Sequence, residues 1–290
     1  MQVTVARDVK TNITNSVDFS ISTDAAKLFS MLSSALYTDK EKAVVYEIGA
    51  NCYDANPFQA FTIVMPTTLE PQIRFRDYGP GLDEPDVYRL LTVYGASDKS
   101  NDNSKIGGYG VGSKSPAAVT DTWNVISRFN GKGKEFLIYI NDQGIPSLTK
   151  VREFDAEDTG LEVIIPVQSN RTSTWVRAVE ECFKYYPIKP EVKNTSIRWY
   201  DMKIVSFGTD WKLRNESYYN TSPVFINTHR AYPVDKSKLQ HEFKDDSIIC
   251  RMLEMPFVID FAIGELQLSL SRESIQYTKT TIANIRKRLE

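Results

Sequence analysis

The sequence predicts an α/β (α+β) fold, in which a two-layer sandwich of a mixed sheet and helices is followed by a smaller α/β domain. Strand-like runs with alternating apolar residues and helix-like segments interleave along the chain. The 290 residues, 41% of them hydrophobic, are enough for two buried cores. The proline pair in Pro187-Ile-Lys-Pro190 interrupts the pattern, so we expect domains over residues 1–187 and 188–290.

The predicted elements of the first domain begin with an alternating strand at Val17–Ser22 and a helix from Thr23 to Leu36, capped by Thr23-Asp24. A second helix is expected over Asp39–Ala55. Further strands are predicted at Phe61–Met65, Ile73–Arg76, Trp123–Phe129, Glu135–Asn141 and Leu161–Val167, and helices at Glu84–Leu91, Ser113–Ala118 and Ser173–Tyr185. Gly131-Lys-Gly is a plausible hairpin turn.

The second domain is predicted from strand-like runs and one terminal helix. The strands are expected at Val224–Asn227, Phe257–Ile263 and Leu266–Leu270, and the helix at Thr280–Leu289. Neither an internal repeat nor a low-complexity tract is visible, so a repeat architecture is not expected.

Composition argues against several functional classes. A net charge of -2 gives no overall attraction to nucleic acid, so direct nucleic-acid binding is not indicated. The widely spaced Cys52, Cys182 and Cys250 form no CxxC pair, so we expect neither a disulfide framework nor a zinc site. Reduced thiols indicate a cytoplasmic location. The N-terminal residues lack the apolar core of a secretory signal, and no apolar run approaches the roughly 20 residues that span a bilayer.

The first chemical signal is a polar helix face in Glu47-Ile-Gly-Ala-Asn51-Cys-Tyr-Asp54. Residues spaced i, i+4 and i+7 share one face of a helix. Glu47 can accept a proton from an attacking water, Asn51 offers a neutral oxygen to a hard cation, and Asp54 can hold ordered water. Gly49 costs the helix about 1 kcal/mol relative to alanine, so we expect a neighbour to need the missing side chain, and a flat ligand on the helix would qualify. A merely solvated helix face is the alternative.

The second signal, Asp77-Tyr-Gly79-Pro-Gly81-Leu82, follows an alternating strand. An aspartate at a strand end can accept a hydrogen bond from an exocyclic amine, and glycines let a planar base approach the backbone. A plain turn explains the same residues.

The third signal is a glycine-rich segment from Gly95 to Gly112, which reads as a mobile lid and ends in Gly107-Gly-Tyr-Gly-Val-Gly-Ser113. Backbone amides where such a loop enters a helix bind anions. Because Ser113 separates Gly112 from Lys114, the segment is not a Walker A loop, and Ser113 also replaces the third glycine of a dinucleotide fingerprint. A glycine hinge without a ligand is the alternative.

The three motifs occur in the order ExxxNxxDA, DxGxGL and GGxGxGS, and this order resembles the GHKL (Bergerat-fold) ATPases, the class of gyrase B, MutL and the large heat-shock chaperone. The resemblance implies a Bergerat-type domain that binds ATP between the Glu47 helix and the lid. It implies Glu47 as the general base and Asn51 as a ligand of Mg²⁺. The nucleotide contacts it implies are Asn51, Asp54, Asp77, Gly79, Gly81, Lys99, Lys105, Gly108, Tyr109, Gly110, Val111, Gly112 and Ser113.

Two later matches extend the resemblance. In the family a Gly-Thr pair opens a late strand and the threonine supports the adenine-binding aspartate, whereas here Thr159 precedes Gly160, one place early. The run Leu268–Lys279 is similar to the chaperone's middle-domain catalytic loop. This implies a transducer-like second domain, in which Arg272 reaches the γ-phosphate and Gln276 contacts the nucleotide. A surface arginine at the start of a helix is the alternative.

Across most of its length the chain is also similar to the rapid-lysis A proteins of T-even-like bacteriophages, in stretches such as Arg76–Gly81, Ile106–Pro116 and Thr159–Pro166. That resemblance implies the host cytoplasm and peripheral membrane association, and it leaves open whether the chain is a short relative or a fragment. The related ATPases close and dimerise on ATP, so a homodimer is expected and its client is unknown. Slow hydrolysis is favoured by Glu47 with Arg272 over the alternative, a non-hydrolysing binding module or structural partner protein.

Overall fold

The computed structural model describes residue 29 and residues 36–93, 112–215 and 222–290. Within these ranges the chain forms a seven-stranded sheet, a five-stranded sheet and a two-stranded pair. Buried apolar side chains gather in two large clusters, one drawn from residues 44–199 and the other from residues 213–289. Among the helices of these ranges, none combines the length and the apolar character needed to cross a membrane.

The first sheet confirms the predicted two-layer sandwich of a mixed sheet and helices. Its strands are β1 (Thr62–Val64), β2 (Gln72–Arg76), β3 (Thr122–Phe129), β4 (Lys132–Ile140), β5 (Pro146–Asp155), β6 (Gly160–Pro166) and β7 (Glu191–Lys193). They lie in the order β5-β4-β3-β6-β2-β1-β7, and only β1 and β7 run parallel. The helices are α1 (Lys40–Ala55), α2 (Glu84–Thr92) and α3 (Thr172–Cys182). Helices α1 and α3 share the first apolar cluster with the sheet.

Helix α1 follows its sequence prediction closely. The Asp39 carboxylate caps the helix by accepting a hydrogen bond from the backbone N–H of Lys42 at 3.1 Å. The predicted apolar face is buried and comprises Val44, Ile48 and Cys52. A Cβ on Gly49 would lie 2.3 Å from the ring of Phe183, which follows α3. The expectation that a neighbour needs the missing side chain is confirmed, and that neighbour is an aromatic ring of the core.

Two features between β3 and β6 differ from the prediction. The hairpin turn is formed by Asn130 and Gly131, with φ angles of 49° and 79°, one residue earlier than expected. Strand β5 was not predicted, because it begins with a proline and its outer part is largely exposed and charged. An edge strand of this kind carries little apolar alternation.

The second sheet contains β8 (Ile204–Phe207), β9 (Trp211–Arg214), β10 (Val224–Asn227), β11 (Arg230–Pro233) and β12 (Phe257–Phe261), in the order β11-β10-β12-β9-β8. Strands β13 (Gln267–Leu268) and β14 (Ile275–Gln276) pair separately, and the helices are α4 (Lys236–Glu242), α5 (Ser247–Met252) and α6 (Lys279–Leu289). The strand predicted at Leu266–Leu270 is thus reduced to two residues.

The predicted boundary at residue 187 falls just before β7. That strand pairs with β1 in parallel, so the first sheet takes its edge strand from beyond the proline pair. The predicted strand Val17–Ser22 and nearly all of the predicted helix up to Leu36 lie outside the described residues.

Candidate functional site

Glu47 lies on α1 with only 6% of its surface exposed, and two arginines approach its carboxylate. Nη1 of Arg230 donates a hydrogen bond to Oε1 at 3.4 Å, and Nη1 of Arg272 lies 3.7 Å from Oε2. Arg230 begins β11 and Arg272 follows β13, so both cations come from the second half of the chain. A charge so buried is stable only when it is paired.

Arg230 is enclosed by aromatic rings. Its guanidinium carbon lies 3.9 Å from the ring centroid of Tyr46 and 5.5 Å from that of Tyr232, and the residue is 5% exposed. Burial pulls the pKa of Arg230 down, but Tyr232, Glu47 and Tyr46 outweigh it, and the pKa lies above its usual value. The guanidinium therefore stays charged at every physiological pH.

A tight turn before Arg230 helps to fix this contact. Thr228 and His229 both have positive φ angles, of 45° and 67°, and connect β10 to β11. The imidazole of His229 packs against the rings of Tyr53 on α1 and Tyr186, at centroid distances of 5.2 and 5.3 Å. Burial lowers the pKa of His229, which favours the neutral ring in this aromatic contact.

Arg272 is held differently. Its backbone has a φ of 58°, and its N–H donates to the carbonyl of Ser269 at 2.9 Å. Its buried Nε finds no hydrogen-bond partner among the described residues. The adjacent Glu273 accepts hydrogen bonds from the backbone N–H groups of Thr38 and Asp39 at 3.1–3.2 Å, so this loop docks directly onto the start of α1.

The sequence did not identify Arg230 or Glu273. Glu273 adjoins the singled-out Arg272, which was a usable signal. Arg230 lies in no motif, and its partner is 183 residues away, so no local pattern marks it. Gln276, predicted to contact the nucleotide, is an exposed residue of β14 that pairs with Gln267.

Asn51 and Asp54 share α1 with Glu47, at the predicted spacing, and both are partly exposed. Among the described residues no cluster of three or more His, Cys, Asp or Glu side chains could hold a metal ion. A metal ligand set at this place would therefore combine the Asn51 amide with oxygens from outside the protein.

Asp77 follows β2 and is 3% exposed. Its Oδ1 accepts hydrogen bonds from the backbone N–H groups of Gly79 at 2.9 Å and Leu161 at 3.1 Å. The predicted supporter, Thr159, is exposed, and its carbonyl accepts a hydrogen bond from Arg76 at 2.7 Å. The amide of Leu161, two residues later, thus supports Asp77 where a threonine hydroxyl was expected.

The glycines after Asp77 face neighbouring protein atoms. A Cβ on Gly79 would lie 2.8 Å from Cβ of Ala55, the last residue of α1. Gly81 has a φ of 76°, and a Cβ there would lie 2.1 Å from the carbonyl oxygen of Arg128 in β3. Close packing within the protein favours glycine at both positions.

The glycine-rich segment is described only from Gly112 onward. A Cβ on Gly112 would lie 2.5 Å from Oε2 of Glu47, so the end of this segment contacts the candidate base. Residues 112–118 form a 3₁₀ helix where a short helix was expected. The hydroxyl of Ser113 donates to the carbonyl of Leu90 at 3.3 Å. The other predicted contacts of this segment, Lys99, Lys105, Gly108, Tyr109, Gly110 and Val111, lie outside the described residues.

Lys114 is a buried cation beside this segment. Its ammonium donates to the carbonyls of Leu90 at 2.7 Å and Val93 at 2.9 Å, just at the end of α2. Burial lowers the pKa of Lys114 to about 8. The side chain thus ties the start of the 3₁₀ helix to the C-terminal end of α2.

Helix α1 carries the first sequence motif, and the other two motifs contact it. Glu47 touches Gly112 and Arg272, and eight residues later Ala55 touches Gly79, beside Asp77. Two helical turns separate these contacts by roughly 12 Å. The backbone-bound carboxylate of Asp77 thus lies beside the C-terminal end of α1, and the Glu47 carboxylate with its two arginines lies nearer the middle of the helix. In comparisons with known proteins, neither the family models nor the curated sequences gave a match to this chain.

Proposed function

We propose that this chain binds and slowly hydrolyses ATP as a GHKL-type ATPase, in a nucleotide-gated clamp that dimerises. The observation that carries the proposal is the contact of the loop after β13 with α1. There Arg272 lies 3.7 Å from the carboxylate of Glu47, and Glu273 binds the amides at the start of the same helix. A carboxylate and an arginine from distant parts of the chain thus meet at one point, as a general base and a phosphate-binding cation would.

The residues present fit a nucleotide. The carboxylate of Asp77 would accept a hydrogen bond from the exocyclic amine of adenine, the feature that its place after β2 suggested. The buried Nε of Arg272 has no hydrogen-bond partner among the described residues, and such a donor suits a phosphate oxygen. Asn51 would hold Mg²⁺, which when bound supplies charge neutralisation for the phosphates.

Glu47 would act as the general base in this proposal. It accepts the proton of the attacking water while the new bond from water oxygen to phosphorus forms and the bond to the ADP oxygen breaks. Arg272 would then stabilise the negative charge on the transferred group. For this, Arg272 must exchange the Glu47 carboxylate for the phosphate, so nucleotide binding is coupled to the docking of its loop.

A second candidate function rests on the same burial. Glu47, Arg230 and Arg272 are also what a structural ion cluster between two packed regions would look like. In that case the chain is a non-hydrolysing nucleotide-dependent binding module or a structural partner protein, and Glu47 only joins its two halves.

The biological setting is proposed from the resemblance to the rapid-lysis A proteins. It places the chain in the cytoplasm of a bacterial host, with peripheral membrane association and an unidentified client. Closure on ATP, with homodimerisation, is the expected output of the clamp.

The testing experiment measures phosphate release by the purified full chain with Mg-ATP, beside a sample in which a chelator removes Mg²⁺. Slow, magnesium-dependent turnover is expected. Solution mass and protease sensitivity are then compared in the ATP-analogue, ADP and nucleotide-free states. A closed dimer with the ATP analogue alone supports the clamp. Absence of turnover, together with the same solution mass and protease sensitivity in all three states, would contradict both the ATPase and the clamp.

A further inference from the structure

We propose that Arg230 is a positioning residue for Glu47, which fixes one carboxylate oxygen so that the other is presented to the attacking water. This inference rests on the proposed ATPase function and deepens it. The observation behind it is that each oxygen of the Glu47 carboxylate faces a different arginine, Oε1 facing Arg230 and Oε2 facing Arg272.

The two arginines differ in how firmly they are held. Arg230 lies on a strand that pairs with β10 in the second sheet, and it is packed against the rings of Tyr46 and Tyr232. Its contact with Glu47 satisfies the hydrogen-bond geometry at 3.4 Å. Arg230 therefore has a fixed place and no room to reach elsewhere without unpacking those rings.

Arg272 is held less firmly than Arg230. It lies in a loop with a left-handed backbone, its distance to Glu47 is 3.7 Å without a hydrogen bond, and its Nε is unpartnered among the described residues. Such a guanidinium can exchange the carboxylate for another anion, because both charges stay paired, Glu47 with Arg230 and Arg272 with the anion. When it does, Oε2 becomes available to a water molecule, while Oε1 remains bound to Arg230.

The two arginines therefore have different roles in the proposal, since Arg230 orients Glu47 and Arg272 binds the phosphate. A general base must be held within hydrogen-bond reach of its proton, and a displacement of 1 Å can cost about a hundredfold in rate. Without Arg230 the carboxylate would keep only Arg272 as a charged partner and would lose its orientation whenever Arg272 left. Because Arg230 belongs to the second sheet, the base is oriented only while that sheet is docked against α1.

The test compares Arg230→Met and Arg230→Lys with Arg214→Met in the full chain. Arg214 is a matched control, since it is 6% exposed, lies in the same sheet and donates to the carbonyls of Pro256 and Ser222. Turnover, KM for Mg-ATP and melting temperature are measured for each. We expect Arg230→Met to lower kcat about tenfold or more with KM changed less than about twofold, and Arg230→Lys to recover part of the loss.

Arg214→Met should lower the melting temperature and leave kcat per folded molecule near the wild-type value. If Arg230→Met retains wild-type kcat, or if Arg214→Met loses kcat equally, the positioning role is overturned while the ATPase stands. If Arg230→Met does not fold, Arg230→Lys alone decides, because a purely structural role predicts an unchanged kcat for any variant that folds. A wild-type chain without turnover overturns the proposed function and this inference with it.

Discussion

Glu47 and Asp77 are both buried carboxylates beside α1, but they are held by different kinds of partner. Asp77 accepts hydrogen bonds from two backbone amides, those of Gly79 and Leu161, within its own sheet region. Glu47 meets the side chains of Arg230 and Arg272, which come from the other half of the chain. The geometry of Asp77 is therefore set when the first sheet forms, whereas the environment of Glu47 is complete only when the two halves dock.

This difference matches the roles proposed above, in which Asp77 recognises adenine and Glu47 accepts a proton. A carboxylate on backbone amides has few alternatives, because backbone amides have less freedom than side chains and Leu161 lies within β6. A carboxylate paired with arginine side chains can exchange partners, since each side chain has several rotamers. Variants that affect one end of α1 and not the other test this contrast.

The largest effect is expected for Glu47→Ala. Loss of the general base should reduce turnover by about 10² to 10⁴-fold and leave ATP binding largely intact, because the base acts on water and not on bound nucleotide. Phosphate release and nucleotide affinity are measured together. Glu41→Ala is the matched control, since Glu41 lies on the same helix, is also 6% exposed and also pairs with an arginine, Arg171. Equal turnover in both variants would remove Glu47 from the reaction.

Arg272→Ala should give the next largest effect. Removal of one charged donor from a transition state typically costs about a hundredfold in rate, while ADP, which lacks the γ-phosphate, should bind nearly as before. Single-turnover rates and ADP titrations separate the two quantities. A strong loss of ADP affinity would indicate that Arg272 supports the fold of the site and not the transferred group.

Asp77→Asn should act at the other end of α1. An asparagine can keep its oxygen on the two backbone amides, but it then presents an N–H₂ group to the amine of adenine, and two donors face each other. We expect adenine-nucleotide affinity to fall about tenfold or more, with turnover of the bound fraction little changed. Asp155→Asn, at an exposed residue paired with Lys132, should leave affinity unaltered. Unchanged affinity for Asp77→Asn would leave Asp77 as a plain turn residue.

The same contrast shows how far the sequence could predict this molecule. Helix α1, strand β2 and the turn after it were all predicted, because caps, apolar spacing and glycines act over a few residues. The contact of Glu47 with Arg230 could not be predicted, since it joins residues 183 apart. Arg230 also follows a turn of two non-glycine residues at positive φ, which no local pattern indicates. Local patterns specify elements, whereas the docking of two regions depends on surfaces that no single segment encodes.

Some short elements were not predicted for a simpler reason. Strand β8 consists of exposed residues in a four-residue stretch, and α4 and α5 are only seven and six residues long. Elements of this length carry too few periods to establish a helical or strand repeat. For Gly49 the sequence indicated a close neighbour but not its identity, because a core ring and a bound ligand both favour glycine at such a position.

Gly81→Ala sharpens the comparison at the Asp77 end through stability. Gly81 has a φ of 76°, and the added Cβ would lie 2.1 Å from the carbonyl oxygen of Arg128, so both backbone strain and a steric clash are expected. The free energy of unfolding should fall by about 2 kcal/mol or more. Gly131→Ala is the control, with a φ of 79° and no atom within 4 Å of the added Cβ, and it should cost only about 1 kcal/mol. Equal losses in urea titrations would show that the contact with β3 contributes nothing.

The smallest effect concerns pH and Lys114, which lies close to the Glu47 end of α1. Its pKa is about 8 in the folded chain, against an ordinary value of 10.5, because burial disfavours the charged form. Between these two values the unfolded chain binds a proton that the folded chain has released, so the free energy of unfolding rises with pH. From pH 7 to 9.5 this gain should be about 1 kcal/mol, discounted because the ammonium is not fully excluded from water.

Lys114→Met should lack the gain, so the difference in stability between wild type and variant shifts toward wild type as pH rises. Lys132→Met is the control, since an exposed lysine whose pKa is raised by Asp155 stays protonated in both states through pH 9.5 and its difference should remain flat. Urea titrations at pH 7 and 9.5 measure both differences, and a flat difference for Lys114→Met would show that its ammonium is as well solvated as that of Lys132.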